Sequence, residues 1–340
     1  MARLKDVALL AEVSLSVASR VLNNDVGARI NPATRQRVVD AAQQLNYVPD
    51  HRARALRLSR AGAIALVVPE VNNAIFASLH AGVQEACHER STAVFLSQLG
   101  APAEGHSALG GIIGNGRVDG VILQRSEQYS DEALRAAIQL DVPVVLFNSR
   151  LEGHTGSVAL DDRASVAVAL DHVAALGHRS VGFLSGAAQH DAAIRREKAF
   201  RELTVERGLE TRDSWIQEAG WEAPAGAAAM AHLLDQPEKP TAVLVASLNA
   251  GIGALHSALA HGVSVPRDMS LMAIHDTWLA TYSTPTLTTV AMPMHAAGRA
   301  AATMLLDHVS GAELSDIIIA SPAPELMARE STAAPRSEKY

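Results

Sequence analysis

The stretch VSLSVASRVLN (residues 13–23) decides how the first sixty residues fold. At helical spacing Val17, Ala18, Val21 and Leu22 share one face, and Leu15, Ser16, Ser19, Arg20 and Asn23 lie on the other. Upstream, Leu4, Val7, Ala8, Leu10 and Ala11 form a second apolar stripe. Only a few residues, EVS, separate the two segments. Val13 can plug the junction, and Ser14 can cap the second helix by accepting a backbone N–H. Two short helices joined this closely form a helix-turn-helix. Downstream, NPATRQRVVDAAQQLNYVPD (31–50) begins with Asn31 as a cap and Pro32 at the first helical position, and then turns Val38, Ala41, Ala42 and Leu45 inward. A third helix therefore completes a small core.

The outward face of the second helix is either an ordinary solvated surface or a reading edge. A groove-binding helix uses such residues: arginine can fork onto guanine O6 and N7, serine can bond several base edges, and leucine can touch a thymine methyl. Arg20, Ser16 and Leu15 fit those roles, with Ser14 and Ser19 placed to hold phosphates. The distribution of charge bears on the choice and is compatible with both readings. Residues 1–60 hold ten lysines and arginines against five acids, so the head carries +5 and the remainder −12 within a total of −7. A basic head on an acidic body points to a polyanion partner. Next comes PDHRARALRLSRAG (49–62), where Asp50 can cap a short helix bearing Arg52, Arg54 and Arg57. At roughly eight residues such a helix is marginal in isolation.

Beyond Gly62 the pattern changes. GAIALVVP (62–69), TAVFLS (92–97), VDGVILQ (118–124), VPVVLFN (142–148), SVGFLS (180–185), TAVLVA (241–246) and MSLMAI (269–274) read as strands buried on both faces, with helical segments between them. This alternation predicts parallel sheets made of right-handed βαβ units. There are too many strands for one sheet of usual size, so two lobes are expected, the first ending near residue 160. STAAPRSEKY (331–340) reads as a loose tail. The glycine-rich GAPAEGHSALGGIIGNG (100–116) lacks the strand–helix setting of a nucleotide loop and reads as a surface connection.

Several blocks, in order, resemble the lac repressor (LacI/GalR) family of transcription regulators over nearly the whole length. They are LKDVALLAEVSLSVASRVLN, TRQRVVDAAQQLNYVPD, IALVVPEVNNAIFASLHAGVQEA, RVDGVIL, VPVVLFN, LGHRSVGFLSG, PTAVLVAS, VPRDMSLMAIHD and TPTLTTV. The resemblance implies an all-α helix-turn-helix domain (1–48), a hinge helix and linker (49–61), and an α/β body of periplasmic-binding-protein type (62–330). The body's lobes would be about 62–160 with 291–320, and 161–290 with 321–330, followed by the tail at 331–340. It implies a cytoplasmic homodimer, a repressor by family precedent, on near-palindromic double-stranded operator DNA. The implied DNA contacts are Lys5, Ser14, Leu15, Ser16, Ser19, Arg20, Asn23, Asn31, Thr34, Arg35, Tyr47, Arg52, Ala53 and Leu56. Leu56 matches the leucine that wedges into the minor groove and bends the duplex. Asp50 departs from the asparagine that relatives often carry; it can still cap the hinge helix, but its charge opposes phosphate.

The resemblance also implies a small-molecule effector between the lobes, near the carboxyl ends of strands. Mapping block by block places Asn73, Ile75, Phe76, Gln124, Asn148, Asp161, Arg196, Trp221, Ser247 and His275 there. Trp221 matches a ring-stacking position, and Arg196 the arginine that fixes the ligand. Three departures stand out: ASLN (246–249) replaces Ala-Asn-Asp, His275 replaces an aspartate, and NAIF (73–76) replaces Asn-Pro-aromatic-aromatic. Carboxylates that accept sugar hydroxyls are thereby lost. The expected effector is a sugar acid or other small carboxylate held by Arg196 and His275. The alternative is a degenerate, ligand-insensitive cleft.

Other classes fit less well. The sequence has no G-x-S-x-G elbow, P-loop or H-E-x-x-H, so no catalytic residue, cofactor or metal is expected. Its single cysteine, Cys87, forms no internal disulfide and reads as a small buried hydrophobe. No apolar run is long enough to span a bilayer, and MARLKDVALL does not read as a secretory signal, unlike the export signal of a solute-binding protein.

Overall fold

The computed structural model describes residues 2–22, 27–47, 60–99, 116–126, 128–139 and 142–336. It divides into two units, Met1–Ala61 and Gly62–Tyr340. Residues 49–59 of the expected hinge, including Asp50, Arg52, Ala53 and Leu56, together with Asn23 and the glycine-rich stretch up to residue 115, lie outside the described residues.

The first unit contains α1 (Leu4–Leu10), α2 (Leu15–Leu22) and α3 (Pro32–Gln44). The Asp6 carboxylate accepts the Arg3 backbone N–H at 2.8 Å and closes the entrance to α1. Glu12 takes φ 54°, a left-handed step that reverses the chain between α1 and α2. Ser14 Oγ then accepts Val17 N–H at 3.2 Å, and Asn31 Oδ1 accepts Ala33 N–H at 2.9 Å, with Pro32 opening α3. Val7, Ala8, Ala11, Ala18, Val21, Val38, Ala41 and Ala42 make the core, with Val13 packed on its edge. These small side chains let three short helices approach closely enough to bury a face each.

The body begins with β1 (Ala63–Val68), α4 (Ile75–Glu89), β2 (Ala93–Gln98), β3 (Val121–Leu123), α5 (Asp131–Ile138), β4 (Val144–Phe147) and β5 (Ser157–Leu160). It continues with α6 (Asp162–Ala175), β6 (Val181–Ser185), α7 (Asp191–Glu206), β7 (Ile216–Glu218), α8 (Ala223–Leu234), β8 (Ala242–Val245) and α9 (Leu248–Ala260). Last come β9 (Ser270–Ile274), α10 (Trp278–Thr281), β10 (Thr288–Ala291), α11 (Met294–Val309), β11 (Asp316–Ile319) and β12 (Glu325–Met327). One sheet has the order β11-β5-β4-β3-β1-β2, the other β12-β10-β9-β8-β6-β7. All pairings are parallel except β10 with β12. The chain thus passes between the sheets after β5, after β10 and after β11. Helix α11 packs against α4 of the first lobe. A Cβ on Gly82 would lie 2.0 Å from His295 O, and one on Gly298 2.1 Å from Leu79 O, so both glycines are set by backbone-to-backbone approach.

Two expectations need correcting. Strand β2 is not buried on both faces: it is the sheet's edge, and Phe95 and Leu96 are exposed. The described part of the C-terminal segment is not loose either. Ser331 is fully buried; its Oγ donates to Leu271 O at 2.6 Å and accepts Thr288 N–H at 2.8 Å. Ala333 N–H meets Ser270 Oγ at 3.0 Å, and Ala333 O lies 2.9 Å from His178 Nε2. The segment satisfies polar groups of β9, β10 and His178 that would otherwise be buried unpaired. Ser331→Ala should therefore lower the unfolding free energy by about 1–3 kcal/mol in a urea titration. An unchanged midpoint would show that the strap is dispensable.

Candidate functional site

The outer face of α2 is presented as the helix-turn-helix requires. Leu15, Ser16 and Arg20 are exposed, Leu15 at 53%, while Ser19 is half-buried. Lys5, Ser14 and Asn31 are exposed, and Thr34, Arg35 and Tyr47 are half-buried. Among the described residues Lys5, Arg20, Arg29, Arg35 and Arg37 enter no ion pair. An exposed leucine beside Ser16 and Arg20 on α2, in a small domain with several unneutralised cations, suits a polyanion with methyl groups in its grooves.

The second site is a cavity of about 220 Å³ between the lobes. Its lining comprises Asn73, Ile75, Phe76, Gln124, Asn148, Arg196, Trp221, Ser247 and His275, joined by Pro69, Glu70, Ser126, Gln128, His190, Ala192 and Glu222. Nine of the ten cleft residues picked out by sequence thus come together. Asp161 does not line the cavity: its Oδ1 accepts Ala164 N–H at 2.9 Å and caps α6. The neighbouring carboxylate, Asp162, has the electrostatic role instead.

Arg196 is 1% exposed and its donors are committed within the protein. Its Nε bonds Asp162 Oδ1 at 2.8 Å, Nη1 bonds Ala246 O at 2.5 Å, and Nη2 lies 3.1 Å from His275 Nε2. Its guanidinium also sits 5.7 Å from the Trp221 ring centre. Arg195 bonds the second Asp162 oxygen, Asp191 and, at 2.8 Å, Asn148 Oδ1. Two arginines therefore face two aspartates, and the charges cancel. Arg195 from α7 also ties the end of β4 in the first lobe to the second lobe.

A guanidinium only donates, so His275 Nε2 accepts and the ring proton is on Nδ1. Burial, reinforced by the adjacent Arg196 charge, holds the His275 pKa well below its ordinary value, so the ring is neutral. His275 Nδ1 has no protein partner. His190 follows the same logic. Trp221 Nε1 donates to its Nδ1 at 2.9 Å, leaving the proton on Nε2, which faces the Ser126 carbonyl without a well-aligned hydrogen bond. Burial lowers the His190 pKa, partly offset by the Ser126 carbonyl, with Arg125 lowering it further. Gln124 Oε1 is a third buried atom without a partner. Arg196 and His275 thus do not supply the free positive charge assigned to them from sequence.

Trp221 is held on several sides. Ser247 Oγ donates to Trp221 O at 2.9 Å and caps α9. A Cβ on Gly186 would lie 2.4 Å from the indole, so only glycine leaves room for the ring. Asn148 and His275 take φ 46° and 73°, strained values for residues with side chains, at the carboxyl ends of β4 and β9. Sequence reading missed His190, Glu70 and Glu222. The loss of cleft carboxylates that it expected is offset by these two acids.

A helix-turn-helix head with a basic face, followed by a two-sheet body with a cleft, defines a DNA-binding regulator with a ligand-binding domain. Two family profiles agree: "Bacterial regulatory proteins, lacI family" matches residues 3–50, and "Periplasmic binding protein-like domain" matches 170–332. The regulator CelR of Thermobifida fusca is 31% identical over 336 residues, covering 96% of this chain and 97% of its own. A LacI family regulator from Mycobacterium smegmatis is 44% identical with a TM-score of 0.77, over 80% of this chain and all of that one. A solved CelR–cellobiose complex is 29% identical with a TM-score of 0.71, over 97% of this chain and all of that one. The chain belongs to the LacI family of bacterial transcriptional regulators. Relatives in this family are transcriptional repressors and not enzymes.

Asp162→Asn should leave the buried Arg196 guanidinium without its counter-ion and the partly buried Arg195 short of charge, and destabilise the body by about 3–5 kcal/mol, read by urea denaturation. Because burial depresses the pKa of His190 and His275, the unfolded chain binds their protons first. Stability should be level above the ordinary histidine value of 6.5 and fall as the pH drops below it, in melting curves recorded against pH.

Proposed function

We propose that the chain is a repressor that binds a near-palindromic operator as a homodimer. A small hydroxyl-bearing metabolite in the cleft sets its operator affinity. The observation that carries this reading is one chain joining an exposed, unneutralised recognition face to a cavity with unpartnered buried polar atoms. Leu15, Ser16 and Arg20 would read base edges, and Lys5, Ser14, Ser19, Asn31, Thr34, Arg35 and Tyr47 would hold the backbone. Asn23, Arg52, Ala53 and Leu56 complete the proposed contact set, with Leu56 as the minor-groove wedge. Phe95 and Leu96 on the β2 edge, and the exposed Trp278 of α10 with Tyr282 just after it, supply apolar surface for a second copy. Its place of action is that of its DNA, the cytoplasm.

The cleft's chemistry supports a hydroxyl-bearing, hydrogen-bonding effector over the carboxylate expected from sequence. Its arginine charge is cancelled by Asp162, and Glu70 and Glu222 at the cavity would repel an anion. Cellobiose, the ligand named for the CelR complex, is of the favoured kind. Buried polar atoms without partners count against a ligand-insensitive cleft, because leaving them unpaired is costly unless a ligand or water meets them.

Binding should be measured by fluorescence anisotropy on an operator selected from random DNA. Arg20→Ala should lose about 1–3 kcal/mol of specific affinity and relax base preference at one position. Unchanged affinity and preference would remove α2 as the recognition helix. Replacing thymine with uracil should weaken binding at one operator position through the missing methyl contact with Leu15; equal affinity throughout would contradict that contact.

A further inference from the structure

We propose that the mouth of the cleft is an ammonium subsite formed by Glu70 and Glu222, so that the effector is an amine-bearing polyol of the amino-sugar class. This rests on the reading of the cleft as a site for a hydroxyl-bearing effector.

The argument starts from the sorting of polar groups within one cavity. His275 and His190 are 5% and 6% exposed; the His275 ring N–H has no protein partner, and that of His190 faces only the Ser126 carbonyl, without good hydrogen-bond alignment. Both come from the second lobe, and the His275 N–H requires an acceptor, such as a hydroxyl or ring oxygen. Gln124 Oε1, from the first lobe, requires a donor. Glu70 and Glu222 line the same cavity in more open positions. A ligand suited to this arrangement offers an oxygen acceptor to His275 and its strongest donor to the acids.

The charge balance identifies that donor. Arg195 and Arg196 are matched by Asp162 and Asp191. Among the described residues neither glutamate has a cationic partner. Glu70 Oε2 accepts from Gln98 Nε2 at 3.1 Å, and Glu222 Oε2 from Asn249 Nδ2 at 3.2 Å. These amides fix the carboxylates in place without neutralising them. The two acids also sense each other: partial burial, joined by repulsion from Glu70, raises the Glu222 pKa above the ordinary carboxylate value. A ligand hydroxyl would satisfy a lone pair and leave the repulsion in place. An ammonium group would satisfy lone pairs on both acids and cancel charge. A bound metal ion is a weaker match, because no cluster of three or more metal-ligating side chains occurs among the described residues.

The test uses calorimetry on the full-length protein at neutral pH with glucose, glucosamine and N-acetylglucosamine. The last retains the nitrogen but removes its charge. Glucosamine should bind about tenfold more tightly than the other two, the usual margin of a charge-assisted over a neutral hydrogen bond. In the double variant E70Q/E222Q, its fold checked by circular dichroism, the ratio of glucosamine to glucose affinity should collapse to about one. Binding of glucosamine alone supports the proposal and removes the neutral sugars. Glucose binding as tightly as glucosamine overturns the proposal and keeps the hydroxyl-bearing effector. A preference that survives in the double variant also overturns it. Absence of binding by all three overturns both the proposal and the reading beneath it.

Discussion

The cleft depends on the buried ion pair between Arg196 and Asp162. An arginine at the floor of a ligand site is naturally read as a charge awaiting an anion. Here each side chain is about 1% exposed, and the guanidinium is bonded to a carboxylate, a backbone carbonyl and an imidazole. Burying a guanidinium without compensation is prohibitive, so its counter-ion is built into the protein. The consequences spread outward. His275 is forced to be neutral, with its proton on Nδ1. Arg195 shares the same aspartate and reaches across to Asn148. The cavity is left with neutral donors in its interior and two acids at its mouth.

The same cluster gives the body a route for coupling. Asn148 lines the cavity and sits at the end of β4, while its Oδ1 accepts from Arg195 on α7 of the other lobe. Any ligand that recruits the Asn148 amide competes with, or reinforces, a bond between the lobes. Ligand control of a two-state protein requires such differential contacts. The strained backbone at Asn148 and His275 is a further feature of residues held in place by their surroundings.

Much of this was legible in the sequence. Runs such as AIALVV and AVLV announce themselves because strands covered on both faces are continuously apolar. The head was equally clear, since its three apolar stripes and its Ser14 and Asn31 caps repeat at helical spacing. What escaped notice has physical causes. The strands IQE, TTVA and ELM are short, polar or peripheral, and their pairing depends on partners remote in sequence. The segment after Glu330 looked like a tail because Ser, Thr and Ala have no local signature; its hydrogen bonds are made with residues some sixty positions away. Sequence does not separate Asp161 from Asp162: helix geometry sends the first to the cap and the second inward. Glu70 and Glu222 follow strand ends that only the fold brings to one cavity.

The most direct measurement is a calorimetric titration of the full-length protein with glucose and with gluconate, its acid counterpart, repeated on Arg196→Lys. With Arg196 neutralised by Asp162 and the mouth lined by acids, gluconate should bind more weakly than glucose in the parent protein. Tighter binding of gluconate, lost in Arg196→Lys, would mean that the arginine is free to hold an anion and would contradict the account.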